Sequence, residues 1–296
     1  MIRGSRKLRV VVIGAGKVGT ALAVGLKRQG YPIVAVISRS VQSARSCSRL
    51  VKSPIASRRL NDIPPDAECL VLALPDERIA TVARSIARNS RLRFKKLIAF
   101  HTSGILTSEA LKLLQSKGAT VFSLHPIHAF VKLNSDASEI KGISYGFEGS
   151  PKAFLIAQRI VRDLRGSIFR VPKEQKIQYH IACVFAANYL TAVLGVAEQL
   201  LPSSAGRKRL DVLAPLATHA LERTLLSSPA LALTGPIARG SSRVVKMHIR
   251  ELRKKNKRFV RIYQELGLQA LQLAVSQRRI SPTAAETLQR ILKRAR

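Results

Sequence analysis

Val10-Val11-Val12-Ile13-Gly14-Ala15-Gly16-Lys17-Val18-Gly19 is the stretch that decides the fold. Four β-branched residues in succession suit a strand buried on both faces of a parallel sheet. The G-x-G-x-x-G that ends the stretch opens a helical pattern running from Lys17 to Gln29. In that context the first glycine makes the tight turn, the second lets backbone approach a pyrophosphate, and the third lets helix and strand pack closely. A second apolar run, Ile33 to Ile37, arrives at the distance a βαβ unit requires. The expectation is a dinucleotide site in which Gly14, Ala15, Gly16, Lys17, Val18 and Gly19 meet the cofactor. A glycine turn with only a structural role is the competing reading.

The second strand ends Ile37-Ser38-Arg39-Ser40, and the next acid after it is Asp62. A site selective for NAD presents Asp or Glu to the ribose 2′-hydroxyl here, whereas an arginine flanked by hydroxyls suits a 2′-phosphate. Ser38, Arg39 and Ser40 therefore point to NADP, against an exposed loop arginine in an arginine-rich chain. Leu74-Pro75-Asp76 closes another strand at the carboxyl edge, where open α/β sheets hold their ligands. Leu74 and Pro75 are expected to line the cofactor, and Asp76 to cap the following helix.

Outward from this core, residues 1–171 alternate β-branched runs with helical patterns. Strands are expected at Arg9 to Ile13, Ile33 to Ile37, Cys69 to Leu74, Leu97 to His101, Thr120 to Leu124, Ile143 to Phe147 and Ile168 to Val171. After Pro172 the pattern is helical: one long segment to Leu200, then Lys208 to Leu226, Ser241 to Leu266 and Leu268 to Gln277, with Ser281-Pro282 opening a last helix. The fold class is α/β, a Rossmann-type parallel sheet domain over 1–171 joined to an all-helical domain over 172–296.

With 296 residues and 46% apolar content, the chain is long enough to bury two sizeable cores. The 51 Lys and Arg against 17 Asp and Glu leave +34. That excess is spread over both parts of the chain, which suits solvation or weak polyanion affinity better than a dedicated nucleic-acid module. Its one dense cluster, Arg243 to Arg261, reads as a solvated helix face with few aromatics for base stacking. Cys47, Cys69 and Cys183 are odd in number and lack metal-ligand spacing, so no disulfide framework and no metal are expected, and the cytoplasm is the natural home. The apolar run from Ile181 to Ala197 is shorter than a bilayer span of about 20 residues and reads as a buried helix.

Along nearly its whole length the chain resembles a family of bacterial Rossmann-like oxidoreductases whose C-terminal helical domain has no characterised function. The residues that carry this resemblance are the glycine fingerprint, Leu74-Pro75-Asp76, His101-Thr102-Ser103-Gly104, His125-Pro126, Tyr179-His180 and Thr234-Gly235-Pro236-Ile237-Ala238-Arg239-Gly240. More distantly it is similar to β-hydroxyacid dehydrogenases, ketopantoate reductase and pyrroline-carboxylate reductase. The resemblance implies a nicotinamide at the sheet edge, with substrate groups supplied by the first long helix of the second domain. Lys176 and His180, spaced i to i+4, share one face of that helix. Asn188 sits about 80° round from His180 on a regular helix. Lys176 is the expected proton donor to the alkoxide that hydride transfer leaves, with His180 beside it, against a surface lysine at a helix start.

Ser103 and Gly104 resemble the Ser-Gly segment that binds substrate in β-hydroxyacid dehydrogenases. His101 and His125 lie at strand ends, where each is either a ligand or a hydrogen-bonded structural histidine. Thr234 and Arg239 form a Gly-Pro turn suited to a carboxylate, or a plain helix connection. The leading expectation is an NADP-dependent reductase of a small carboxylate-bearing keto acid or imine, with Ser103, Gly104, His125, Asn188, Thr234 and Arg239 as substrate ligands. Ketopantoate reductase presents asparagines after its lysine where this chain has His180 and Val184, so the substrate stays open. A dinucleotide-binding sensor without turnover is the alternative, and a nucleic-acid binder a weaker third. Relatives in the superfamily often dimerise through the helical domain, which makes a homodimer the expected assembly.

Overall fold

The computed structural model describes residues 6–131, 140–205 and 209–293. The chain divides into two compact units, Met1–Tyr189 and Leu190–Arg296.

The first unit is an eight-stranded sheet: β1 (Val10–Ile13), β2 (Ile33–Ile37), β3 (Ala56–Ser57), β4 (Cys69–Leu72), β5 (Ile98–His101), β6 (Thr120–Ile127), β7 (Ser144–Gly149) and β8 (Ser167–Arg170). Their order is β3-β2-β1-β4-β5-β6-β7-β8. The first six strands are parallel, in the doubly wound order that reverses between β1 and β4. The uniformly parallel sheet expected from sequence is corrected at one place, since β6 and β7 are antiparallel and β8 runs with β7. The two-residue β3, too short for periodicity to register, was not expected.

Helices α1 (Lys17–Arg28), α2 (Val41–Val51), α3 (Asp76–Ala87), α4 (Lys112–Ser116) and α5 (Pro151–Asp163) cover the sheet. Successive strand residues point to opposite faces, and the cores divide accordingly. Val10, Val12, Val71, Phe100 and Phe122 pack with α1, α2 and α5. Val11, Ile13, Leu70, Leu72 and Ala99 pack with α3 and α4. Burial on both faces is what the unbroken apolar runs of β1 and β4 encode. The unit ends with α6 (Lys176–Val184) and a π-helical turn over Phe185–Tyr189.

The second unit contains α7 (Leu190–Leu200), α8 (Leu210–Leu226), α9 (Pro229–Ala232), α10 (Ser242–Lys255), α11 (Lys257–Ser276) and α12 (Pro282–Lys293). Its core joins α10, α11 and α12 through Val245, Ile249, Leu252, Val260, Leu271, Leu288 and Leu292. The helix break expected near Gly267 lies instead at Asn256, whose extended backbone and side-chain acceptor for the Arg258 N–H cap α11. Gly267 is buried in the interior of α11, where Leu292 packs against it, its Cδ2 2.8 Å from the Cβ position.

The apolar run after Lys176 is not buried as expected. Ile177, Ile181 and Phe185 are exposed, and none of the described residues of α7 or α8 is buried. The continuous helix Lys173–Leu200 has 28 residues and contains an 18-residue window of mean hydropathy 1.7, long and apolar enough to cross a membrane by length and composition alone. The run Ile181 to Ala197 lies inside this longer helix, which continues past it at both ends.

Candidate functional site

The glycine turn has the geometry its spacing requires. Gly14 adopts φ +103° at the end of β1, and a Cβ there would fall into the Ala73 carbonyl. A Cβ on Gly19 would likewise strike the Gly14 carbonyl, so helix and turn touch backbone to backbone. Gly16 is different: nothing lies within 4 Å of its Cβ position. Gly16 is also the N-cap of α1, offers no side-chain cap, and precedes a first turn without acids. The first-turn amides of Lys17, Val18 and Gly19 have no intrahelical acceptor, and the helix dipole favours an anion before them. This donor set fits a pyrophosphate.

At the end of β2 the Ser38 N–H donates to the Ser57 carbonyl at 2.9 Å, and Arg39 is exposed. Ser40 Oγ accepts from the Ser43 N–H and so caps α2, a structural duty that leaves its hydroxyl proton to donate. Leu74 stands beside the glycine turn, its Cδ2 3.1 Å from the Cβ position of Gly14. Pro75 is the N-cap of α3, which makes Asp76 its first residue rather than its cap; the carboxylate still faces the favourable end of the helix dipole.

At the same carboxyl edge the chain turns sharply after β5. His101 is fully buried, its Nε2–H donates to the Thr107 carbonyl at 2.9 Å, and its Nδ1 accepts from the Ser103 N–H at 3.2 Å. Burial pushes its pKa down to about 4, so it is a neutral brace with both nitrogens occupied. Ser103 Oγ accepts from the N–H groups of Ile105 and Leu106 at 3.2 and 3.0 Å, so the hydroxyl expected to meet substrate is turned into its own loop. Glu148, buried on β7, accepts from both the N–H and the hydroxyl of Ser108 and ties the far end of the loop to the sheet.

Lys176 is not the surface lysine of the competing reading. It is 1% exposed, and its Nζ donates to Ser123 Oγ at 2.8 Å and to the Ser103 carbonyl at 3.2 Å. Burial lowers its pKa from the ordinary 10.5 to about 8, with Glu148 and Asp76 opposing. An ammonium has three donors, which leaves one beyond these two bonds. Ser123 went unnoticed in the sequence, although it lies two residues before His125 on β6 and therefore on the same face of the sheet.

Three further side chains close around Gly104. A Cβ on Gly104 would strike His180 Nδ1 and sit 3.1 Å from His125 Nε2, so the glycine is what lets both imidazoles approach the loop. Their ring centroids are 5.9 Å apart. Tyr179 Oη lies 2.6 Å from His125 Nδ1. Burial and the Lys176 and His180 charges push the His125 pKa down to about 4. The first unit thus brings together Lys176, His180, Ser103, Gly104 and His125, and adds Ser123 and Tyr179.

Asn188 is exposed within the π-helical turn, across which an angular offset worked from a regular helix does not hold. Thr234 and Arg239 lie in the second unit, in a turn where the Arg239 N–H donates to the Gly235 carbonyl at 3.2 Å and Gly235 takes φ +94°. Both side chains are exposed. Among the described residues, no group of three or more His, Cys, Asp or Glu side chains is placed to hold a metal ion.

Sheet order, glycine turn and carboxyl-edge cluster define a Rossmann-like protein with a helical C-terminal region. The chain carries a Rossmann-like domain over residues 2–126 and a domain of unknown function, DUF2520, over residues 143–270. Among solved structures it is similar to a candidate NADP oxidoreductase from Bacteroides fragilis, at 25% identity and TM-score 0.74, over 89% of this chain and 98% of that one. Protein TM1727 of Thermotoga maritima matches at 24% identity and TM-score 0.70, over 91% and 99%. The reductive aminase of Aspergillus terreus, solved with NADPH and ethyl-5-oxohexanoate, matches at 16% identity and TM-score 0.59, over 98% and 94%. No curated protein matches the chain.

Proposed function

We propose that this protein is an NADP-dependent oxidoreductase that reduces a small carboxylate-bearing keto acid or imine, on the pattern of the β-hydroxyacid dehydrogenases and ketopantoate reductase. The observation that carries this reading is a buried amine, Lys176, held between Ser103 and Ser123 at the same carboxyl sheet edge as the open glycine turn. A binding module has no use for so costly a burial, whereas an acid poised near neutrality is what reduction of a carbonyl needs. The similarity to an NADP oxidoreductase candidate and to an NADPH-bound aminase supports the same class.

The amides at the start of α1 bind the pyrophosphate, and Arg39 pairs with the ribose 2′-phosphate, which selects NADP over NAD. NADPH supplies a hydride to the carbonyl or imine carbon. Ser123 and the Ser103 carbonyl orient the Lys176 ammonium, and its remaining N–H gives a proton to the substrate oxygen or nitrogen as the double bond is reduced; solvent then restores the ammonium. His125, His180 and Gly104 form the wall against which the substrate lies.

The assembly in this reading is a homodimer. Residues 177–206 contain no Lys or Arg in a chain with 51, and α8 exposes Val212, Leu216, Leu225 and Leu226, the last at 87%. The +34 charge of each chain opposes association, least so over residues 177–206, which lack Lys and Arg, and over α8, where Arg223 is the single basic residue, so these exposed apolar segments suit a second copy. Cys47, Cys69 and Cys183 are unpaired thiols, consistent with a cytoplasmic home. Fluorescence titration with NADPH and NADH, followed by a screen of keto acids and cyclic imines at the nicotinamide absorbance, tests the function. Tighter NADPH binding and turnover lost in Lys176→Met support it; absence of binding by either coenzyme refutes it.

A further inference from the structure

Tyr179 has no part in the reaction above, yet several features serve its position. Its hydroxyl lies 2.6 Å from His125 Nδ1. Gly146, the residue paired with His125 across β6 and β7, makes the room, since a Cβ there would come within 2.5 Å of the phenol oxygen. Phe169 meets the tyrosine ring edge-on at 5.8 Å, and His125 does so at 5.7 Å.

The phenol has one proton and two acceptors in reach, His125 Nδ1 and the Cys183 sulfur one helical turn on. Sulfur accepts weakly, so the proton goes to the imidazole. A neutral imidazole that accepts at Nδ1 must carry its own proton at Nε2. That nitrogen lies 3.1 Å from the Cβ position of Gly104, on the side where His180 also approaches.

We infer that Tyr179 is a positioning residue that locks His125 as a neutral Nε2–H donor, aimed at a substrate oxygen beside Gly104. The groups facing this imidazole favour the same state. Lys176 and His180 on α6 disfavour a positive charge on it, Tyr179 supplies a donor rather than an anion, and the neighbouring strand residues with polar heads, His101 and Tyr145, are neutral. Glu148, the one carboxylate on the adjoining strand, is engaged by Ser108. A neutral donor holds its proton through the reaction, which makes it a ligand for oxygen and leaves proton delivery to Lys176.

The catalytic consequence rests on the reductase reading, whereas the lock itself does not. The test uses the full chain with 15N-labelled histidine, as wild type and Tyr179→Phe, which keeps the ring contacts. The wild-type His125 signals should show protonated Nε2 and bare Nδ1, unchanged from about pH 8 to about pH 5. In Tyr179→Phe the His125 midpoint should rise by about one pH unit, and with an identified substrate kcat should fall about tenfold with KM within twofold. A protonated Nδ1 in the wild type overturns the inference, as does an unchanged His125 titration in the variant. The wild-type spectrum decides the matter alone if the variant does not fold. A lock confirmed by resonance in a protein that turns over nothing leaves this inference standing and removes the reductase.

Discussion

Replacing Lys176 by methionine should abolish activity without destabilising the protein, a combination unusual for a fully buried side chain. Burial takes the lysine pKa from 10.5 to about 8, while the unfolded chain recovers the ordinary value. Between those two pH values the unfolded state binds more protons than the folded one, so stability rises with pH across that window and the penalty is fully present below it. At about 1.4 kcal/mol per pH unit, the cost of holding the charge at neutrality is about 3 kcal/mol. Methionine, similar in length and uncharged, removes that cost. It also leaves the Ser123 hydroxyl and the Ser103 carbonyl without the ammonium, a loss of about 1–3 kcal/mol. That loss is softened because Ser123 Oγ still donates to the Ser103 carbonyl at 3.2 Å. At pH 7 the variant should therefore lie between equal to the wild type and about 2 kcal/mol more stable. Urea denaturation of both proteins at several values from about pH 7 to about pH 10.5 measures this, and the paired design cancels every other titrating group. The wild type should gain about 3 kcal/mol on the variant across the series, while turnover at pH 7 drops by about 10²-fold or more. Parallel stability curves would refute the buried ammonium and, with it, the assigned acid.

Gly16→Val should leave the urea midpoint unchanged, because its Cβ position is open, and should eliminate coenzyme binding in a fluorescence titration, because the branched side chain occupies the approach of the pyrophosphate. Arg39→Ala should weaken NADPH by about 10–100-fold, the worth of a charge-assisted bond, and leave NADH within about twofold; equal losses for both coenzymes would remove the 2′-phosphate assignment. Leu216→Glu in α8, replacing a side chain 68% exposed, should convert a dimer to a monomer in sedimentation velocity. A wild type that sediments as a monomer, or that pellets only with lipid vesicles, would rule out the second copy.

Much of the first unit was legible because its signals are local. A β-branched run followed by glycines at fixed spacing constrains φ, backbone approach and helix start within ten residues, and Gly14 and Gly19 show the tight turn and the close helix–strand packing that spacing implies. The all-helical character after Pro172 was equally plain from periodicity. The helix boundary at Asn256 is not marked by any strong breaker in the sequence, whereas Gly267, which reads as one, packs inside α11 against Leu292, a contact between distant parts of the chain.

By itself the sequence determined the Rossmann-type sheet and the glycine turn, since each follows from short-range geometry at a fixed spacing, while Lys176 and His180 were singled out by the family resemblance, their i to i+4 spacing placing them on one helix face. Only the tertiary structure decided what those side chains face. Burial, not sequence neighbours, sets the Lys176 pKa, and the partners that orient it, Ser103 and Ser123, are 73 and 53 residues away. The reversed strand β7 brings Gly146 opposite His125 and so admits Tyr179, while the loop folding after β5 turns the Ser103 hydroxyl inward. Charge, hydrogen bonding and exposure belong to positions in space, and no one-dimensional pattern carries them.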